Sequence, residues 1–382
     1  MKIGFITSEY PHPKVKYAGG IATSIKNLAV ELVRKGEDVT VFVYHQEESG
    51  VWHDEGVEIH LIKKETYKLF TWYYYRKHIQ NYVNKIVKDK CIDILEAPDW
   101  TGITAFTNFR VPLVVRFHGS DAYFCKLDKR KQKFKNYLFE KLALKNAAAY
   151  VAPTTYAGLE TQKIFGLNKK KIKTIHYGLQ LEHFENGNPS LYDRHVILYI
   201  GTIIRKKGVL ELAEIFNKVV KEKPNTQLIL IGGDSSDIKT GETSTYKLME
   251  QIFSEEAKKQ VNYLGKIPYE DVKEQIKKAH VCTYPSFAET LGMVTIESMA
   301  MQKPVVNTSI GWAQELIDDG VNGYLVHPTK IEEYATKILT LLNDEALCEQ
   351  IGKAARLKVE ALFDIEKNVD INIEYYKSIL NT

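Results

Sequence analysis

Two glutamates eight positions apart, Glu289 and Glu297, stand in the stretch Pro285 to Glu315, PSFAETLGMVTIESMAMQKPVVNTSIGWAQE. An apolar run, VCTYP, reads as a buried strand just before it, and a polar turn holds Glu289. From about Leu291 to Met301 the spacing predicts a helix, with Met293, Ile296, Met299 and Ala300 on one face, Glu297 on the helix and Pro304 ending it. If both acids were helical they would lie roughly 12 Å apart. A pair of carboxyls that acts on one glycosidic bond sits about 5 to 9.5 Å apart. These two fit better as grips on the two ends of a long ligand with hydroxyls at each end, such as a nucleotide sugar. The plainer reading is a solvated helix carboxylate and an acid that favours a helix N-terminus. Spacing alone leaves both open.

Other polar groups fall at strand ends. Arg205, Lys206 and Lys207 follow the apolar run VILYIG and precede a helix, so three cations and helical N–H groups form a receptor for a diphosphate. Gly19 and Gly20 stand between the first strand and the first helix, where backbone can approach a phosphate closely. They do not make GxGxxG, so a dinucleotide fingerprint is absent. Asp99 and Trp100 end the run IDILEAP, and His118, Gly119, Ser120 and Asp121 end VPLVVRF. In a parallel sheet the Gly19–Gly20 loop and the Asp99 and His118 groups share one edge, the edge that binds ligands. A lone His after a strand is more often a structural hydrogen-bonder, but Gly119 lets the chain turn at once and leaves the imidazole at the edge.

These positions need an alternating scaffold, and the chain supplies one twice. Strand Lys2–Thr7, a helix striped by Ile21, Ile25, Leu28 and Leu32 and stopped by Gly36, then strands EDVTVFVY and GVEIHLI open the first set. Strand KIKTIHYG closes it. The pattern lapses in LQLEHFENGNPSLYDR and restarts at VILYIG. The expected organisation is a first α/β domain over 1–178, a linker over 179–194, a second α/β domain over 195–362 and a C-terminal helix over 363–382. Each domain reads as doubly wound. The stretch Lys126–Lys145 reads as one strongly basic helix, either a solvated face or a patch for an acidic acceptor or lipid headgroups. Tyr67–His78, YKLFTWYYYRKH, packs its rings inward or rests on an anionic membrane surface; both readings stay open.

Composition sets bounds. The 382 residues suffice for two full cores, and 44% hydrophobic and 26% charged residues are ordinary for a globular protein. A net charge of +4 gives no nucleic-acid footprint. Four scattered cysteines have no metal or redox spacing and read as reduced. The start, MKIGFITSEY, reads as a strand and not a signal peptide, and no run approaches the ~18 apolar residues of a membrane span. The expectation is a cytoplasmic protein, with peripheral contact on the inner membrane face as a variant.

With these residues in view, the chain resembles the retaining glycosyltransferases of family 4. That resemblance implies the GT-B fold, two Rossmann-like domains with the active site in the cleft between them and a C-terminal helix that packs back on the first domain. The Glu289–Glu297 stretch is similar to the family's signature of two glutamates separated by seven residues. Gly311, Glu315, Gly320, Asn322 and Gly323 match its continuation, GTIIRKKG its phosphate turn, and IGGD and LGKIP further segments. By the same resemblance Glu289 holds the transferred sugar, with Thr290, Leu291 and Gly292 beside the donor, and Glu297 binds the ribose. Arg205 and Lys207 neutralise the diphosphate. Gly20, with Gly19, brings N–H to the distal phosphate. His118 hydrogen-bonds the sugar, and Gly233 and the backbone around Lys266 face the nucleotide. Three positions depart from the pattern. Thr202 stands where Arg is usual, so Arg205 is the expected substitute; Leu291 replaces the usual Phe; and Tyr177-Gly178 replaces an Asn-Gly pair.

The resemblance implies transfer of a hexosyl group with retention, the donor phosphate itself taking the proton of the acceptor hydroxyl. The donor is a UDP- or GDP-linked sugar, no separate cofactor is expected, and no DxD or His cluster calls for a metal. The acceptor, a glycan, a lipid-linked sugar or a small molecule, falls near Asp99, Trp100 and Asp121, in polysaccharide, cell-surface glycan or glycolipid synthesis. A sugar phosphorylase or nucleotide-sugar epimerase, or a non-catalytic nucleotide-sugar-binding protein, are the alternatives.

Overall fold

A computed structural model of the chain describes residues 1–15, 18–167 and 172–381. Residues 16–17 of the expected first loop and Lys171, the first residue of the expected strand KIKTIHYG, lie outside the described residues. The chain divides into two compact units, Met1–Gln180 with Asp364–Thr382, and Leu181–Phe363.

The first unit is built on β1 (Lys2–Thr7), β2 (Asp38–Gln46), β3 (Gly50–Asp54), β4 (Val57–Lys63), β5 (Ile94–Pro98), β6 (Leu113–Arg116), β7 (Ala149–Ala152) and β8 (Ile172–Thr174). Its helices are α1 (Gly20–Arg34), α2 (Thr71–Lys90), α3 (Asp121–Leu127), α4 (Phe134–Lys145) and α5 (Thr155–Phe165). The sheet runs β3-β4-β2-β1-β5-β6-β7-β8. Its pairs are parallel except β3 with β4. Six successive residues of β2, Val39–Tyr44, are buried, as a strand covered by helices on both faces requires. Strand β3 is an addition to the sequence reading. It folds back antiparallel through Glu55 and Gly56, both at positive φ (49° and 82°), the two-residue turn that matches the twist of a hairpin.

The expected single basic helix is two helices. The chain leaves helix after Leu127, passes through Lys129 at φ 53° and re-enters at Phe134. Lys129, Arg130, Lys131 and Lys133 crowd this stretch, and like charges at helical spacing oppose a continued helix.

The second unit places β9 (Val196–Ile200), β10 (Gln227–Ile231), β11 (Val261–Gly265), β12 (Val281–Tyr284), β13 (Val305–Asn307) and β14 (Tyr324–Leu325) in the order β11-β10-β9-β12-β13-β14, all parallel. Its helices are α6 (Val209–Glu222), α7 (Thr245–Ile252), α8 (Glu255–Lys258), α9 (Tyr269–Lys278), α10 (Met293–Ala300), α11 (Ile331–Asn343) and α12 (Glu345–Leu362). Both sheets are thus doubly wound. Strand order reverses between β1 and β5 in the first and between β9 and β12 in the second, and crevices at such points hold ligands.

The last helix, α13 (Ile365–Leu380), belongs to the first unit. Val369, Ile373 and Tyr376 join the core formed by β1, β2, β4 and α1. A buried polar network fastens it. Arg116 on β6 donates to Glu96 on β5 from Nε (2.6 Å) and Nη2 (2.9 Å), and Nη2 also donates to Asn372 Oδ1 at 2.6 Å. The Tyr376 hydroxyl donates to Glu96 Oε2 at 2.6 Å. Each carboxylate oxygen is therefore paired, the condition under which buried charges are tolerated.

Candidate active site

In the second unit, the loops after β9 and β12 flank the point where strand order reverses. After β9, Gly201 donates its N–H to the Ile231 carbonyl and Ile203 to the Gly233 carbonyl, which ties the basic turn to the end of β10. Gly208 closes that turn at φ 69°, and a Cβ there would stand 1.8 Å from the Pro285 carbonyl oxygen, so the two loops touch backbone to backbone. Phe287 N–H donates to the Lys206 carbonyl at 2.8 Å. These contacts bring Lys207 and Glu289 together, and the Lys207 Nζ is ion-paired with Glu289 Oε1. Both side chains keep about a fifth of their surface exposed, 21% and 19%. Burial, and after it the neighbouring Lys206, pushes the Lys207 ammonium down to about 7. Ser286, Gly292, Thr295 and Asn307 line a small cavity with the pair.

Glu289 lies in the turn, and α10 begins only at Met293, after Gly292 at φ 94°. The helical-rise estimate for the two acids therefore does not apply. From Thr295 to Ala300 the helix is buried on all sides. Asn307 Nδ2 donates to Thr295 Oγ1 (2.9 Å), and the hydroxyls of Tyr284 and Ser298 share a 2.7 Å bond, so the helix is fixed to β13 and β12. Leu291 is 1% exposed and Thr290 is buried, which leaves chiefly main chain at those positions to meet a ligand.

Glu297 is buried and accepts from the Tyr269 hydroxyl at 2.8 Å. Burial pushes its carboxyl up to about 7, against the hydrogen bond from Tyr269, which favours the charged form. Tyr269, at the start of α9, was not anticipated; no local sequence signal marks it.

Arg205 has a partner within the protein. Its Nε and Nη2 each donate to Asp237 at 2.8 Å, a bidentate pair with a carboxylate that is 2% exposed. Arg205 holds the Asp237 carboxyl below the usual range, and the Thr240 hydroxyl (2.7 Å) adds to this. The guanidinium fork is thus engaged within the protein, and Lys207 is the cation of the turn that faces Glu289. Gly233 and Lys266 are neighbours: a Cβ on Gly233 would stand 2.5 Å from Lys266 Cε.

In the first unit, Asp99 and the Gly19–Gly20 turn follow β5 and β1, at that sheet's reversal point. Gly19 donates its N–H to Glu9 Oε2 at 3.0 Å, so a carboxylate of the chain occupies this helix start; Gly20 has open space around it. Asp99 accepts from the His118 N–H at 2.9 Å, and burial pushes its carboxyl up to about 7. His118 Nδ1 lies 2.7 Å from the Tyr177 hydroxyl, with the rings stacked at 5.4 Å. Burial, helped by Arg116, pushes the His118 imidazolium down to about 3, so the ring is neutral at physiological pH. Asp121 is turned to its own surroundings, pairing with Arg130 (3.0 Å) and Asn136 (3.2 Å), and Trp100 is 38% exposed.

The family description "Glycosyltransferase Family 4" matches residues 18–183 and "Glycosyl transferases group 1" matches residues 182–358. The chain is a GT-B glycosyltransferase. An uncharacterised glycosyltransferase of Methanocaldococcus jannaschii is 25% identical over 99% of this chain and 98% of its own. Among solved structures, sucrose-phosphate synthase of Thermosynechococcus elongatus matches with a TM-score of 0.82 at 22% identity, covering 100% and 99% of the two chains. Anabaena HepE in complex with UDP-glucose matches with a TM-score of 0.73 at 20% identity, covering 99% and 100%. At these identities the structural matches speak for the fold of the glycosyltransferase, two Rossmann-like domains with parallel sheets.

Proposed function

We propose that this glycosyltransferase moves a sugar from a nucleoside-diphosphate sugar to an acceptor hydroxyl with retention, without a metal ion. The observation that carries the reading is the Lys207–Glu289 pair at the reversal point of the second sheet. Cleaving a sugar–phosphate bond leaves a diphosphate with more negative charge than it had in the donor. Lys207 is a partly desolvated cation whose natural counter-charge is that leaving group, so its interaction strengthens as the bond breaks. Glu289, released from the ammonium, accepts hydrogen bonds from sugar hydroxyls. Glu297 takes the ribose hydroxyls, with Gly233 and the Lys266 backbone toward the nucleotide. His118, neutral, is a hydrogen-bond partner and not an acid. The HepE complex supports a uridine donor, and the acceptor, a glycan or lipid-linked sugar, is assigned to the Asp99–Trp100 edge of the first unit.

Retention is tested without knowing the acceptor. Slow hydrolysis of a UDP-α-sugar, followed by proton NMR in the first minutes, is expected to release the α anomer first. First appearance of the β anomer overturns retention.

Glu297 gives a pH signature. Only its carboxylate can accept from both ribose hydroxyls, and protonation through about 7 removes that form. UDP affinity is therefore expected to rise by roughly ten-fold from pH 6 to pH 8 through this group. Glu297→Gln loses that part of the slope. The phosphate titration of UDP is common to both proteins, so calorimetry on the two isolates the Glu297 contribution. Identical slopes contradict the ribose assignment.

A further inference from the structure

Where α2 and α4 begin, the first unit carries large apolar side chains that are open to solvent. Leu69 is 71% exposed, Phe70 61% and Phe134 77%. The scaffold beneath them is closely packed. The Trp72 ring lies 5.0 Å from Phe139 and 6.2 Å from Phe70. Arg76 is buried, lies 4.6 Å over the Phe139 ring and donates to the Trp72, Thr101 and Gly102 carbonyls. Gly102 has φ 55°, and a Cβ there would stand 2.4 Å from the Phe139 carbonyl, so α4 packs directly on the turn after β5.

Cations flank these side chains in the sequence. Lys68, Lys129, Lys131 and Lys133 are exposed and have no carboxylate partner among the described residues. Lys135 Nζ lies 5.6 Å from the centre of the Trp72 ring. The acids of the 126–145 stretch do not offset them: Asp128 is 3.6 Å from Arg130, and Glu140 is buried, accepting from the Asp121 and Ala122 N–H groups.

Any apolar partner could cover the rings, but the lysines narrow the choice. A second copy would set its own lysines against these. An anionic bilayer satisfies both features, with rings at the headgroup–acyl boundary and ammonium groups among the headgroups. We propose that Leu69, Phe70 and Phe134, with the exposed Lys129, Lys131 and Lys133 that precede Phe134, dock the first unit on the surface of an anionic lipid bilayer. No helix among the described residues is long and apolar enough to cross a membrane, and surface contact requires none. The turn under the patch, Trp100–Gly102, directly follows Asp99. Docking therefore brings the edge assigned to the acceptor to headgroup level, a corollary that rests on the proposed function; the docking itself does not.

Sedimentation with phosphatidylcholine vesicles, and with an equal mixture of phosphatidylcholine and phosphatidylglycerol, tests the proposal. The protein is expected to bind the mixed vesicles, to leave neutral ones in solution and to detach at high salt. Each lysine contributes roughly five-fold in partitioning, so the triple variant Lys129→Gln, Lys131→Gln, Lys133→Gln should bind about 100-fold more weakly. The triple variant Leu69→Ser, Phe70→Ser, Phe134→Ser should lose at least roughly ten-fold. Thermal melting should match the wild type in both, since the replaced side chains are exposed. Nucleoside diphosphate release from soluble donors on the same samples should also be unchanged, which separates failed docking from a failed transferase reading. The proposal is overturned by no binding to mixed vesicles, by equal binding to both kinds, or by insensitivity to both triple variants. It is also overturned if the variants dissolve a dimer seen by light scattering in lipid-free buffer, which would give the patch to a second copy.

Discussion

Lys207→Ala is expected to lower kcat/KM by roughly 10² to 10³-fold, the usual effect of removing one preorganised group that meets charge developing in a transition state. The loss should fall mainly on kcat, because a diphosphate leaving group gains charge after binding. Glu289→Ala is expected to lose turnover by a similar factor, through the sugar hydroxyls and not the phosphate. The two groups are in contact in the ligand-free protein, so their effects should not multiply: the double variant should be less impaired than the product of the singles. Both side chains are partly exposed and sit in loops fixed by backbone contacts, so melting curves should stay close to the wild type. Steady-state kinetics with melting controls make the comparison. Near-normal rates in both single variants would refute the assignment.

The largest expected effect on stability lies far from that pair. Glu96→Ala leaves the Arg116 guanidinium buried beside Asn372 without its counter-charge. Breaking a buried ion pair from one side costs about 3–5 kcal/mol. The first unit should therefore melt well before the wild type, and α13 should lose protection against hydrogen exchange, since Tyr376 and Asn372 share the network. Replacing both charges, Glu96→Leu with Arg116→Met, should cost less than Glu96→Ala alone, because no orphan charge remains. Denaturant melts followed by exchange mass spectrometry check this. A single variant as stable as the wild type would show that the network does not fasten the helix.

The two sheets were legible because buried parallel strands such as Val39–Tyr44 are near-continuous apolar runs bounded by turn residues. What sequence could not show was which loops become neighbours. Lys207 and Glu289 are far apart in the chain and meet only because β12 lies beside β9, an order that periodicity does not encode. The pairing of Arg205 with Asp237 was not legible because Asp237 lies beyond β10 in a loop with no distinguishing pattern. The basic stretch read as one helix because Leu127, Phe134 and Leu138 supply apolar positions at near-helical intervals, while the repulsion among the intervening lysines is a matter of degree. The same break leaves Phe134 exposed at the head of α4.

The central claim is that the second unit grips a nucleotide sugar and releases its diphosphate against Lys207. Incubating the wild type and Lys207→Ala with a panel of UDP- and GDP-linked sugars and measuring nucleoside diphosphate release tests it most directly. The account predicts release from at least one donor by the wild type and a loss of roughly 10²-fold or more in the variant. Tight donor binding with no release from any member of the panel, or equal release by both proteins, would contradict it.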